Sequence, residues 1–132
     1  MEMRIEAPFV LDTWDGVADP PPADEAAPAM GRALLVKRYT GDVLTGTATG
    51  HALTTQGPAG SSYVAQERVV GTLAGRSGSF VLEHGAVAGE GMEPEQRAVV
   101  VPGSATGELA GLRGSGRLDH GLLTLDVQLP DD

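Results

Sequence analysis

The sequence predicts an all-β protein, a single antiparallel β-barrel of about eight strands. Three observations carry that prediction. Short apolar segments recur at regular spacing between glycine turns, and the 19 glycines follow no Gly-X-Y period. The segment 116–129 places Leu123, Leu125, Val127 and Leu129 at strict period two, the mark of a half-buried strand. No stretch sustains the 3.6-residue period of an amphipathic helix.

The elements follow in order. RIEAPFVLDTW (4–14) mixes apolar and polar residues and reads as a first strand. DGVADPPPADEAAPAMG (15–31) then reads as a long Pro-, Ala- and acid-rich loop, because the prolines at 20–22 offer no backbone N–H to a sheet or a helix. A mobile connection is favoured over a lid, and one helical turn near Ala23–Ala29 is the strongest helix candidate in the chain. RALLVKRYTG (32–41) is a strand with Leu34 and Val36 facing the core, and 41–56 continues the β pattern with small residues and threonines. After a turn at 57–61, strands are expected at 62–75 and 78–89. An acidic turn precedes 97–104, 105–114 and 116–129, which complete the set.

Composition bounds the rest. At 132 residues the chain is expected to be one domain, 1–132, with the loop at about 15–31 as its one irregular part. Hydrophobic residues make up 41%, enough for a folded core, and aromatics only 4%, so that core must be mostly Val, Leu and Ala. The net charge of −9, with Lys37 as the single lysine, disfavours nucleic acid and anionic membrane surfaces as partners. There are no cysteines for disulfide or thiolate chemistry. The N-terminus lacks the basic and apolar regions of a signal peptide, and no apolar run approaches ~18 residues, so a cytoplasmic location is expected.

One glycine pattern occurs twice. GTLAGRSGSF (71–80) and GELAGLRGSG (107–116) agree at six of ten positions. Neither ends in the Gly-Lys-Ser/Thr of a phosphate loop, neither precedes a helix as a dinucleotide loop must, and no Gly-x-Ser-x-Gly elbow is present. The remaining reading is a turn used twice to bend and close a barrel, with glycines supplying positive φ.

SYVAQERVVGTLAGRSGSFVLEHGA (62–86) and VVPGSATGELAGLRGSGRL (100–118) resemble the bacterial domain-of-unknown-function family 3224. LDTWDG (11–16) and RALLVKRYTGDVLTGTA (32–48) fit the start of that family, so the resemblance spans nearly the whole chain. It implies a small β-barrel similar to allene oxide cyclase. The proline-rich stretch 17–31 and Ala105 depart from the family pattern without threatening that fold. No reaction, and so no catalytic role, comes with the resemblance.

In a barrel of this size, polar residues on the inward face are the informative ones. Alternation puts Tyr63, Ala65, Glu67 and Val69 on one face of their strand, and Phe80, Leu82 and His84 on one face of the next. If Phe80 and Leu82 point inward, so does His84, and Glu67 is its candidate acid–base partner. The plainer alternative is that Glu67 and Arg68 pair with other strands and His84 merely ends its own. Trp14, Tyr63, Phe80 and Leu82 are the candidate ligand-binding residues, although a core or barrel-plug role is the favoured reading of Trp14. His51, His84 and His120 show no metal-ligand spacing, the acidic cluster Asp15, Asp19, Asp24 and Glu25 has no calcium-loop spacing, and no metal or cofactor is expected. Arg76 and Arg113 sit at corresponding turns and read as solvated. Three functions remain in play: a binder of a small apolar ligand, an isomerase or cyclase that steers a reactive substrate in the cavity, and a non-catalytic barrel that associates as a homodimer or scaffold.

Overall fold

A computed structural model describes residues 1–131 and shows a closed antiparallel barrel. Its strands are β1 (Glu2–Ala18), β2 (Ala29–Thr40), β3 (Leu44–Gln56), β4 (Gly60–Leu73), β5 (Arg76–Gly89), β6 (Glu95–Val100), β7 (Arg113–Asp119) and β8 (Leu122–Gln128). Each strand pairs with its sequence neighbours, and β8 returns to β1. Among the described residues no helix is long and apolar enough to cross a membrane.

Strand tilt shows in the register. A walk across directly paired residues from Ile5, through Leu125, Gly116, Ala98, His84, Ala65, Ala52 and Ala33, meets β1 again at Gly16. Such a stagger is what closing a sheet into a small barrel demands. β1 absorbs it by working in two halves. Residues 2–8 pair with β8 and residues 9–18 with β2, with a bulge between Leu11 and Thr13. The wall formed by β1–β5 therefore rises well above the short β7–β8 hairpin.

The interior fills in layers. Ile5, Leu44, Val69, Leu73, Phe80, Leu82, Leu123 and Leu125 form the apolar core toward one end. The connection from β6 to β7 folds back on β5 through a 3-10 turn, Gly107–Leu109, and adds Leu109 and Leu112 to that core. Leu35, Ala52 and Ala65 form a smaller layer toward the other end, the mouth.

Four expectations need correction. The irregular segment after β1 is only 19–28, because β1 and β2 continue pairing up to Ala18 and Gly31, and the three prolines fall in the loop that remains. Of the residues expected as a strand at 105–114, those up to 112 form a connection with a 3-10 turn at Gly107–Leu109, and only Arg113 and Gly114 enter β7. The segment 116–129 is a hairpin whose turn uses positive φ at His120 and Gly121. In β2, Ala33, Leu35, Lys37 and Tyr39 are the buried positions, whereas Leu34 and Val36 lie on the outer face. Four consecutive apolar residues, 33–36, hide which face is inward.

The two glycine repeats also diverge. The first is a two-residue hairpin turn between β4 and β5, with positive φ at Ala74 and Gly75. The second forms the 3-10 connection, where Gly107 takes a φ of +64° and approaches the Ser77 carbonyl. The repeats do touch: a Cβ on Gly78 of the first would lie 2.1 Å from the carbonyl oxygen of Thr106, beside the second.

Candidate functional site

Between the two apolar layers lies a layer of charge. Lys37, Glu67 and His84 project inward from β2, β4 and β5 and are 3%, 1% and 2% exposed. Register places them there: Glu67 stands opposite Leu82, two positions before His84, and Lys37 stands across Ala48 from Val69. Between β2 and β4, β3 presents only Ala48 and Gly50 at this level. A Cβ on Gly50 would lie 1.9 Å from the Gln66 carbonyl oxygen, so the backbones of β3 and β4 approach closely beside Glu67.

The contacts form one network. Lys37 Nζ donates to Glu67 Oε1 at 3.3 Å and lies 3.1 Å from Oε2. The Tyr39 hydroxyl donates to Glu67 Oε1 at 2.7 Å. His84 Nε2 stands 3.5 Å from Lys37 Nζ and 3.6 Å from Glu67 Oε2. His84 Nδ1 meets the Tyr63 hydroxyl at 3.0 Å. The Lys37 ammonium also sits 4.4 Å from the centre of the Phe9 ring, a cation–π contact. Glu67 Oε2 makes no well-directed hydrogen bond, so its contact with Lys37 is an ion pair alone.

The environment shifts these groups in opposite directions. Burial lowers the Lys37 ammonium, and the Glu67 charge restores only part of that loss. Burial pushes the Glu67 carboxyl upward, but the neighbouring His84 imidazole, the Lys37 ammonium and the Tyr39 hydroxyl together outweigh it and hold the group below its ordinary value. Burial, reinforced by the Glu67 charge, raises both the Tyr39 and Tyr63 phenols. The cluster therefore holds one carboxylate against a lysine that gives up its proton more readily than usual, in low-dielectric surroundings that strengthen each interaction.

Tyr63 links this layer to the outside. It is half-buried and lines a pocket of about 180 Å³ in the mouth, with Trp14, Thr54, Gln56, Ser61 and Ala86 also on its walls. A second pocket of about 200 Å³ shares Trp14, Thr54 and Gln56 with the first. The inner face of the high wall, where Gly16, Ala33 and Ala86 alternate with these larger residues, is thus a shallow trough floored by a tyrosine.

His84 Nδ1 either accepts the Tyr63 proton or, in the other tautomer, donates its own to the phenol oxygen. In the first arrangement Nε2–H faces Glu67 Oε2. In the second, Nε2 faces the Lys37 ammonium and the Tyr63 hydrogen is free to point into the mouth.

Glu67, His84 and Tyr63 come together as the alternation of their strands requires. Trp14 is 48% exposed on the mouth, so it lines the pocket and does not plug the core. Phe80 and Leu82, the other two candidate ligand contacts, are packed in the closed apolar layer and do not line the mouth pocket. Arg76 donates to the Pro130 carbonyl instead of standing in solvent, and His120 sits in the β7–β8 turn 3.1 Å from Asp119. Among the described residues no cluster of His, Asp and Glu is arranged to hold a metal ion. Lys37 and Tyr39 are the members of the network that the sequence did not point to. The one signal was that the chain's single lysine sits two residues before a tyrosine in an apolar strand.

No curated protein matches the chain. The crystal structure of a protein of unknown function from the DUF3224 family of Shewanella oneidensis MR-1 is 27% identical, with all of both chains covered and a TM-score of 0.83. The family model described as "Protein of unknown function (DUF3224)" matches residues 5–122. The match takes in all three strands that carry the charged layer, and the chain belongs to the DUF3224 family.

Proposed function

We propose that the barrel binds a compact, largely apolar small molecule in its mouth and that Tyr63, backed by His84, exchanges protons with it. The observation that carries this reading is the bond between Tyr63, which lines the mouth pocket, and His84, which is buried against Lys37 and Glu67. A phenol in that position gives a proton to a ligand oxygen in one imidazole tautomer and takes one in the other. When the ligand loses a proton to Tyr63, the tyrosine passes its own to Nδ1, and the imidazolium is stabilised by the Glu67 carboxylate. Isomerisation needs only this return of the same proton to a different atom. Cyclisation of a reactive substrate, as the resemblance to allene oxide cyclase implies, draws chiefly on confinement by the trough walls.

Because Trp14 is the single tryptophan and lies at the pocket, its fluorescence reports occupancy directly. Native mass spectrometry of protein purified from its host should show a bound small molecule that Trp14→Ala loses and Tyr63→Phe retains. A chain that emerges at its sequence mass, and whose tryptophan emission no compound in a chemically diverse library perturbs, would end this reading.

A further inference from the structure

We propose that the outer face of β2–β6 is the docking surface for a second copy of this chain, which joins it as a two-fold dimer. The reading is independent of the mouth pocket. Paired positions line up across this face as the row Arg32, Leu53, Val64, Gly85 and Arg97. Leu53 and Val64 stand directly opposite each other at its centre and are 62% and 40% exposed. The next row adds Met30 and Val87, also exposed. Gly85 contributes no side chain, and a groove of about 580 Å³ runs over it between Leu53, Val64 and Arg97. Contiguous apolar surface of this kind on a soluble chain marks an association site.

Charge selects the occupant. Two copies that each carry a net charge of −9 repel at most of their surfaces. This face holds Arg32, Arg68 and Arg97 against Glu83 and Glu95, so its acids are balanced although the whole chain has 18 acids against nine bases. A two-fold axis between Leu53 and Val64 brings Leu53 onto the partner's Val64. It also brings Arg32 toward the partner's Glu95, beside the ion pair of Arg97 with Glu83 that lies next to Gly85. Such self-complementary contact is what an isologous interface requires. The apolar pair is desolvated at its centre and the charged groups form its rim.

The test is sedimentation equilibrium of the full chain across a range of protein and NaCl concentrations. Wild type should dimerise, and added NaCl should strengthen the dimer by screening the net repulsion. Leu53→Glu, on the outer face, should leave the fold intact and weaken association at least ~30-fold, as loss of a central contact does. Val10→Glu, an exposed position outside this face, should dimerise as wild type does. The chain has no cysteine, so a spin label on Leu53→Cys gives a second reading without a buried charge, with strong dipolar coupling between copies expected. A wild type that stays monomeric at every concentration and salt level overturns the proposal. So does a Leu53→Glu chain that dimerises normally, a Val10→Glu chain that is equally impaired, or a label at position 53 that shows no coupling.

Discussion

Lys37 and Glu67 neutralise one another inside the barrel, and each is costly without the other. Replacing one leaves a charge in an apolar interior, which destabilises by about 3–5 kcal/mol, whereas replacing both by apolar residues of similar volume is often neutral. Lys37→Met and Glu67→Leu should therefore each lower the urea midpoint strongly, and the double variant should recover most of the loss. Additive losses in that double-mutant cycle would show that the two side chains are not coupled. Tyr39→Phe removes a hydrogen bond to a carboxylate and should cost about 1.5–3 kcal/mol in the same assay. How much of this was legible depended on the strand. Period-two alternation put Tyr63 with Glu67, and Phe80 and Leu82 with His84, because the inward positions of β4 and β5 hold recognisable residues. β2 gave no such guide, since Ala33, Leu34, Leu35 and Val36 are apolar on both faces, and Lys37 was hidden with them.

Among the elements, the β6–β7 connection shows most clearly where local pattern fails. Its Gly-x-Leu-Ala-Gly resembles the β4–β5 turn, yet the first copy joins two long strands in continuous register and the second packs across β5. The difference is tertiary. Thr106 N–H donates to the Ser79 carbonyl at 2.8 Å, and the Ser79 and Thr106 hydroxyls lie 2.7 Å apart. Those contacts cannot be read from a ten-residue window. They depend on Gly78, so Gly78→Ala should lift the connection from β5 and accelerate amide hydrogen exchange at Thr106 and Leu109. Unchanged protection there would show that the close approach is dispensable. Leu109→Ala should cost about 2–5 kcal/mol, the usual range for emptying a packed core position. A loss confined to a few tenths in chemical denaturation would mean that the connection covers the core without sealing it. The β7–β8 hairpin was missed for a different reason: apolar residues continue on both sides of the His120–Gly121 turn.

At the scale of the whole molecule, the charged layer sets how stability depends on pH. Glu67 is held below its ordinary value of 4.5, so its contribution is fully present above that pH and fades as pH falls through its folded value. Tyr39 is held above its ordinary value of 10.0, so its contribution is complete below pH 10.0 and is lost as pH climbs beyond it. The depressed Lys37 acts in the opposite sense to Tyr39. Folding becomes more favourable as pH rises between its lowered folded value and its ordinary 10.5, because the unfolded chain binds the extra proton there. Thermal unfolding across pH should show an acid limb that Glu67→Leu reduces and an alkaline limb that Tyr39→Phe reduces. Limbs that are identical in wild type and variants would place the titrating groups elsewhere. The all-β class was legible because it rests on glycine-bounded segment lengths. The count of eight came out only because 105–114, expected as a strand, offset the two strands joined within 116–129. The stagger that divides β1 into two halves was not legible, because register is a property of pairs of strands.

The burial of Lys37 also makes the barrel its own gauge. Apart from the N-terminal amine, the native chain presents no primary amine to reagents in solution, since its one lysine is 3% exposed. Acylation of that ε-nitrogen, followed by peptide mass, therefore counts openings of a single chosen point in the interior. Comparing its rate with the rate of global unfolding separates breathing of the strands around the charged layer from collapse of the whole ring.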